Sequence, residues 1–240
     1  TDVKRENIFV QSKCGIVPGV MYDLSKKHIL ESVDGILKRL DMEYLDALVL
    51  HRPDALVEPE EVAAAFDELE KSGKVRHFGV SNQKPMQIEL LKRYVKQPIE
   101  INQLQLSIPC SNMITNGMEV NMASEGAVDR DGSVLDYCRL NDITIQAWSP
   151  FQYGFFEGVF IGNEEKYPKL NAVLNELADK YNVAPSGIAT AWILRHPAGI
   201  QMIAGSTSRK HMQEIIDGSH VTLTREEWYR LYLAADHMLP

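Results

Sequence analysis

Short apolar runs alternate with stretches of helical spacing along most of this sequence, and no other feature constrains the fold as tightly. Residues 8–13 read as a strand. Residues 25–40 then place Ile29, Leu30, Val33, Ile36, Leu37 and Leu40 at helical intervals behind Ser25, a suitable N-cap. The pattern repeats with a strand over 44–51 and a helix opened by Pro59, with Val62, Ala63, Phe66 and Leu69 inward and Gly73 as its stop. A third strand over 75–80 is closed by Ser81 and Asn82, and Met86, Ile88, Leu91 and Tyr94 mark the next helix. Further strands are predicted over 99–104, 143–147 and 201–204, with helices over 134–140 and near Met212, Ile215 and Ile216. Such alternation implies parallel strands. A doubly wound sheet would normally show a GxGxxG turn after an early strand, and the sequence has none. The expectation is an α/β fold of the (β/α)8 TIM-barrel type, one domain over residues 1–240, with about six of the eight βα units present and N-terminal units absent.

In such a barrel the ends of the strands share one rim, and the active site is built there. Lys13 and His51 each end a predicted strand. A lysine lowers the pKa of a neighbouring hydroxyl and a histidine orients a carbonyl, which suits acid-base chemistry on a small substrate. The plainer alternative is that Lys13 caps its strand and His51 starts a turn. Two long irregular segments, 107–132 and 150–166, follow strands on the same rim, and the second carries Phe151, Tyr153, Phe155, Phe156 and Phe160. These aromatics either wall an apolar pocket or only cover the barrel mouth. Gly205, Ser206, Thr207 and Ser208 end the last strand and open a helix, an arrangement that offers free N–H groups and hydroxyls to an anion.

Composition narrows the function classes. A net charge of −8, with 25 Lys and Arg scattered among 33 acids, leaves no basic stripe for nucleic acid. No run approaches the ~20 apolar residues that span a membrane, and the charged N-terminus is not signal-like. Cys14, Cys110 and Cys138 are far apart with no CxxC spacing, which argues against a metal site and a disulfide framework. A soluble cytoplasmic protein is expected, a monomer by default.

Lys13 and His51, then Gly79-Val80-Ser81-Asn82, Asn102-Gln103 and Trp148-Ser149-Pro150, resemble the aldo-keto reductase superfamily in residue type, order and spacing over nearly the whole chain. Residues 145–156 and 223–229 resemble its YdhF-type bacterial branch. The resemblance implies NAD(P)H-dependent reduction of an aldehyde or ketone to an alcohol, with Lys13 and His51 catalytic. Ser81, Asn82 and Gln103 are hydroxyl and amide groups able to hold the carboxamide of a nicotinamide ring, although Ser81 or Asn82 would also serve as an ordinary helix N-cap. Trp148 would stack on that ring, with Ser149, Pro150 and Phe151 along the pyrophosphate. Gly205 to Ser208 would receive the adenosine-side phosphate, with Lys210 and His211 near it and Glu214 at the adenine amino group. Relatives commonly carry a lysine at Gly205 and an arginine at His211, so the clamp on the 2′-phosphate of NADP is weakened; Arg209 and Lys210 are possible substitutes, and NAD remains open beside NADP. The family's proton-donating tyrosine and its aspartate partner precede the lysine by roughly one βα unit, which places both ahead of Thr1. Two other readings stand beside this one: a cofactor-binding accessory subunit with little turnover, and an unrelated barrel such as a sugar-phosphate isomerase using residues 205–208 for substrate phosphate.

Overall fold

Every strand predicted in the first hundred residues enters a parallel ladder. The computed structural model describes residues 3–155 and 157–239, and the chain divides into two compact units, Thr1–Gln103 with Leu140–Ile143, and Leu104–Arg139 with Thr144–Pro240. In the first, β1 (Gln11–Cys14) precedes a small antiparallel hairpin of β2 (Ile16–Val17) and β3 (Met21–Tyr22), which the sequence pattern did not suggest. Then come α1 (Lys26–Leu40), β4 (Leu45–Leu50), α2 (Pro59–Lys71), β5 (Val75–Ser81), α3 (Pro85–Lys92) and β6 (Ile99–Gln105). The ladder runs β1-β4-β5-β6 with all neighbours parallel. Central β4 is buried at every residue, as a strand covered on both faces must be. Its one charge, Asp46, accepts from Val10 N and Arg5 Nη2, both at 2.8 Å. Tyr44 beside it lies between the guanidinium groups of Arg5 and Arg76, 3.9 and 3.7 Å from its ring centre.

The helices follow the predicted stripes with three corrections. Ser25 Oγ caps α1 by accepting from His28 N, and Ile29, Val33, Ile36 and Leu37 are buried, but Leu40 falls in the final residue of the helix and is exposed. In α2 the inward alanine is Ala65, not Ala63, because Val62, Ala65, Phe66 and Leu69 share the buried face. Gly73, with φ +74°, ends that helix as predicted: its N–H donates to Glu70 O and Lys74 N donates to Leu69 O. Only Ile88 and Leu91 of the predicted stripe pack in α3; Met86 is exposed and Tyr94 lies beyond the last turn.

The second unit holds α4 (Asn112–Met118), α5 (Val134–Leu140), β7 (Thr144–Trp148), α6 (Pro168–Tyr181), α7 (Pro185–Leu194), β8 (Gln201–Met202), α8 (Arg209–Ser219) and α9 (Arg225–Ala234). β7 and β8 pair in parallel, with Gln146 opposite Gln201 and Ala147 opposite Met202. β8 is two residues long, shorter than the predicted 201–204, and segment 107–132 is not wholly irregular because α4 and a 3-10 turn lie within it. α7 buries every residue from Gly187 to Ile193. Its Trp192 stacks on Trp228 of α9, centroids 4.7 Å apart, and each indole N–H donates to the other residue's carbonyl, at 3.1 and 3.0 Å. Glu227 fixes α9 from its first turn, accepting from Lys180 Nζ at 2.5 Å, Tyr181 Oη at 2.8 Å and Thr224 N at 2.8 Å. Among the described residues no helix is long and apolar enough to cross a membrane.

Candidate active site

Strand register brings the first group of candidates together. Lys13 lies opposite Val49, Val49 opposite Gly79, and Gly79 opposite Ile101. Side chains alternate faces along a strand, so Ala47, Val49 and His51 project to one side, as do Gly79 with Ser81 and Ile101 with Gln103. Ala47, Val49 and Ile101 form one buried apolar cluster. One step toward the strand ends, His51, Ser81 and Gln103 therefore form a polar layer directly above it. Lys13 joins that layer by length, its Nζ donating to Gln103 Oε1 at 2.7 Å across a sequence separation of 90 residues.

Close backbone approach holds this layer. A Cβ on Gly79 would stand 2.7 Å from Ile101 Cβ and 2.9 Å from its carbonyl oxygen, so β5 and β6 meet there only because the residue is glycine. The register shifts between Phe78 and Gly79, which sets Ser81 opposite Gln103. Ser81 Oγ donates to Gln103 O at 3.0 Å, Asn82 N donates to the same carbonyl at 3.0 Å, and Asn82 Nδ2 donates to Ser81 Oγ at 2.9 Å. Asn82 itself adopts the left-handed region, φ 54°. Neither Ser81 nor Asn82 caps the next helix: the N-cap of α3 is Lys84. The ordinary capping role is thereby removed.

Lys13 and His51 also line a cavity of about 250 Å3, together with Glu31, Ser32 and Arg39 of α1. Burial, then the charges of Lys13 and Arg52, push the His51 pKa down to about 4, so the imidazole is neutral at neutral pH. The Lys13 pKa is lowered by burial and by Arg52. Arg52 was not among the predicted residues, yet it acts on both; its position next to His51 at the strand exit was the available signal. Lys13 is the third of four residues in β1, one before the strand end, and His51 lies just past β4 with its N–H donating to Cys14 O at 2.9 Å.

The second group sits on loops and a helix start. Trp148 ends β7, half-buried, with Phe155 edge-on at 6.2 Å. Ser149 follows at φ 52°, Pro150 is buried, and Phe151 accepts from Phe160 N at 3.1 Å. Of the loop aromatics, Phe160 is fully buried, Phe155 is exposed, Tyr153 packs against Tyr167 with Lys166 Nζ 3.9 Å over its ring, and Phe156 lies outside the described residues. Among the described residues the loop is therefore partly core, with Phe160 buried and Phe155 exposed.

Ser208 caps α8, accepting from His211 N, and its own N–H donates to Ser206 Oγ at 3.1 Å. Gly205, Thr207, Lys210 and His211 are exposed around that helix start, and Ser206 is half-buried. Glu214 turns back to accept from Ser186 Oγ at 2.9 Å, with Lys210 Nζ 3.9 Å away. Among the described residues no group of His, Cys, Asp and Glu could hold a metal ion.

A family model described as the aldo/keto reductase family matches residues 1–234. The chain belongs to the aldo-keto reductase family. The oxidoreductase YcsN of Bacillus subtilis is 36% identical over 96% of this chain and 74% of its own length, and the oxidoreductase YdhF of Escherichia coli is 30% identical over 96% and 73%. Among solved structures, the thermostable aldo-keto reductase Tm1743, crystallised with the inhibitor epalrestat, superposes with a TM-score of 0.74 and 26% identity, covering 97% of this chain and 73% of that one. As an aldo-keto reductase the protein is an α/β oxidoreductase of the carbonyl-reducing, nicotinamide-using kind, with the parallel strands of that barrel family. The family match overturns the sugar-phosphate isomerase alternative and lends no favour to an accessory subunit. It begins at residue 1, so it gives no support to the expectation of absent N-terminal units.

Proposed function

We propose that the protein is an NADPH-dependent reductase of a small aldehyde or ketone, one barrel domain over residues 1–240, acting as a cytoplasmic monomer. The observation that carries this reading is the polar layer of His51, Ser81 and Gln103 over an apolar floor, with Lys13 Nζ bonded into it.

The donor set suits a nicotinamide ring. Ser81 and Gln103 are buried polar groups at adjoining strand ends, fixed by the ladder, and with Asn82 they form the hydroxyl and amide combination that recognises a carboxamide. When bound, the reduced cofactor supplies the hydride. Trp148 gives its ring a flat apolar neighbour, and Ser149, Pro150 and Phe151 follow the pyrophosphate. Gly205, Ser206, Thr207 and Ser208, with Lys210 and His211, hold the adenosine-side phosphate at the start of α8, and Glu214 serves the adenine. Arg209 and Lys210 are the cations offered to the extra phosphate of NADP in place of the clamp weakened at Gly205 and His211, while NAD remains a usable cofactor.

His51, neutral at working pH, hydrogen-bonds the substrate oxygen and orients the carbonyl. Lys13 supplies the positive charge that acidifies the proton-donating hydroxyl, which the family resemblance gives to a tyrosine. The test is direct: purified protein is mixed with NADPH and p-nitrobenzaldehyde, and cofactor absorbance and alcohol product are followed together. Stoichiometric loss of NADPH with formation of the alcohol is the expected result. Tight NADPH binding without oxidation would replace the reductase by an accessory subunit.

A further inference from the structure

A second cavity, of about 340 Å3, lies wholly within the second unit, between α4, α5, the end of α7 and the start of α9. None of the candidate cofactor residues lines it. Arg195 and His196 stand where the chain approaches β8, whereas Gly205 to Ser208 stand where it has left that strand. Its walls are apolar and aromatic, built by Ile114, Met118, Leu135, Trp228 and Tyr229. Trp228 is a rigid, buried part of this wall, because its ring is stacked on both Trp192 and Tyr232, with Tyr229 edge-on at 5.0 Å, and its N–H is already bonded.

The polar lining of this cavity carries two guanidinium groups against one carboxylate. Arg195 and Arg225 both line it. Arg195 donates from Nε to Leu223 O at 2.8 Å, which fixes the guanidinium while leaving its Nη groups without a carboxylate among the described residues. Arg225 has no acidic partner among the described residues either. Asp136 is the one acid in the lining, and Arg139 Nη1 lies 3.8 Å from its carboxylate. The His196 ring accepts from Ala198 N at Nδ1, so its hydrogen-bonding pattern places the proton of the neutral ring on Nε2, as a donor. Burial, then Arg139, lowers the His196 pKa, with Asp136 acting the other way.

A cavity of this size, with apolar walls and few convergent polar groups, has the make-up of a small-molecule site. Two guanidinium groups around it select an anion, and a planar carboxylate is the partner that a guanidinium fork matches. We propose that this cavity binds a small planar aromatic carboxylate, with its ring system against the apolar lining and the carboxylate at Arg195 and Arg225. The site is independent of the cofactor residues and does not rest on the reductase reading.

The probe is β-naphthoate, titrated calorimetrically into the protein with and without saturating NADPH, with β-naphthylmethanol as its uncharged counterpart. Saturable 1:1 binding is expected, weakened about tenfold or more for the alcohol and in Arg225→Met, with NADPH affinity unchanged in that variant. Arg225 is exposed, so its substitution keeps the fold even if Arg195→Met does not. No binding of β-naphthoate, equal affinity for the alcohol, unaltered binding in Arg225→Met, or displacement by NADPH would each overturn the proposal.

Discussion

The chain leaves β5 and β7 in the same way and secures the two exits by different means. Ser81-Asn82 and Trp148-Ser149 each carry a candidate pair across a strand end, and each second residue turns into the left-handed region, at φ 54° and 52°. After β5 the exit is tied to the neighbouring strand: the buried Ser81 hydroxyl and the Asn82 backbone N–H both donate to Gln103 O. After β7 the exit is tied by segment 105–107, with Leu106 N donating to Trp148 O at 3.3 Å, Ser107 Oγ to Gln152 O at 2.6 Å and Gln105 Nε2 to Gly154 O at 3.2 Å, beside the local bond from Gln152 N to Ser149 O at 3.1 Å. The first exit is fixed by ladder register and the second by side chains and backbone of segment 105–107, so both depend on distant sequence by different means.

Four substitutions test that contrast, in falling order of effect. Lys13→Met should lower turnover by about 100-fold or more while leaving NADPH affinity nearly unchanged; steady-state kinetics beside fluorescence titration decides it, and unchanged turnover would sink the assignment. Glu227→Gln removes a buried carboxylate held by three donors and should cost about 3 kcal/mol at neutral pH in chemical denaturation. Burial works to raise that carboxyl's pKa, but the bonds from Lys180, Thr224 and Tyr181 prevail and hold it at about 2, below the ordinary 4.5. A depressed carboxylate contributes stability that is complete above its unfolded pKa and lost as pH falls through the folded one. The native protein should therefore lose stability between pH 4.5 and about 2, and Glu227→Gln should show a flatter acid limb. An unchanged acid limb would mean that Glu227 is not among the groups responsible.

Gly79→Ala should cost about 2 kcal/mol through overpacking against Ile101, and because it pries β5 from β6 it should weaken NADPH binding as well. A variant that loses stability but binds cofactor normally would break the link between ladder register and site. Ser208→Ala, by contrast, removes one local cap and should cost only about 1 kcal/mol, with a small change in NADPH affinity. A loss as large as that of Gly79→Ala would erase the distinction between the two kinds of support.

What the sequence reveals follows the same division. The positions of β4, β5 and β6 are legible because buried apolar runs end at turn residues, and α1 and α2 because their stripes face one way. The hairpin β2–β3 has two residues per strand, too few for any period to register. α7 escapes a search for amphipathic spacing because it is apolar on all sides. α4 is built from Asn, Met, Ile, Thr and Gly, poor material for an isolated helix, and depends on its buried Met113, Ile114 and Thr115. The structure shows a capping box of Thr224 and Glu227 at the start of α9, a stretch that contributes to the sequence reading only through its resemblance to the family. Lys13, His51, Ser81 and Gln103 can be singled out as strand-end residues, but the bond from Lys13 to Gln103 depends on a register shift at Gly79 that no single strand encodes.

The stacked tryptophans of α7 and α9 also give the molecule an optical signature. Two indoles whose planes differ by 8° and whose centres are 4.7 Å apart couple their electronic transitions, so dichroism in the strong, shorter-wavelength indole band should carry a paired feature of opposite signs that vanishes when the helices part. Trp148 stands apart from that pair, at the candidate cofactor position, and its emission is the one a bound nicotinamide would quench. Dichroism then reports the integrity of the helical layer and fluorescence the occupancy of the site, two signals from the three tryptophans of one unlabelled chain.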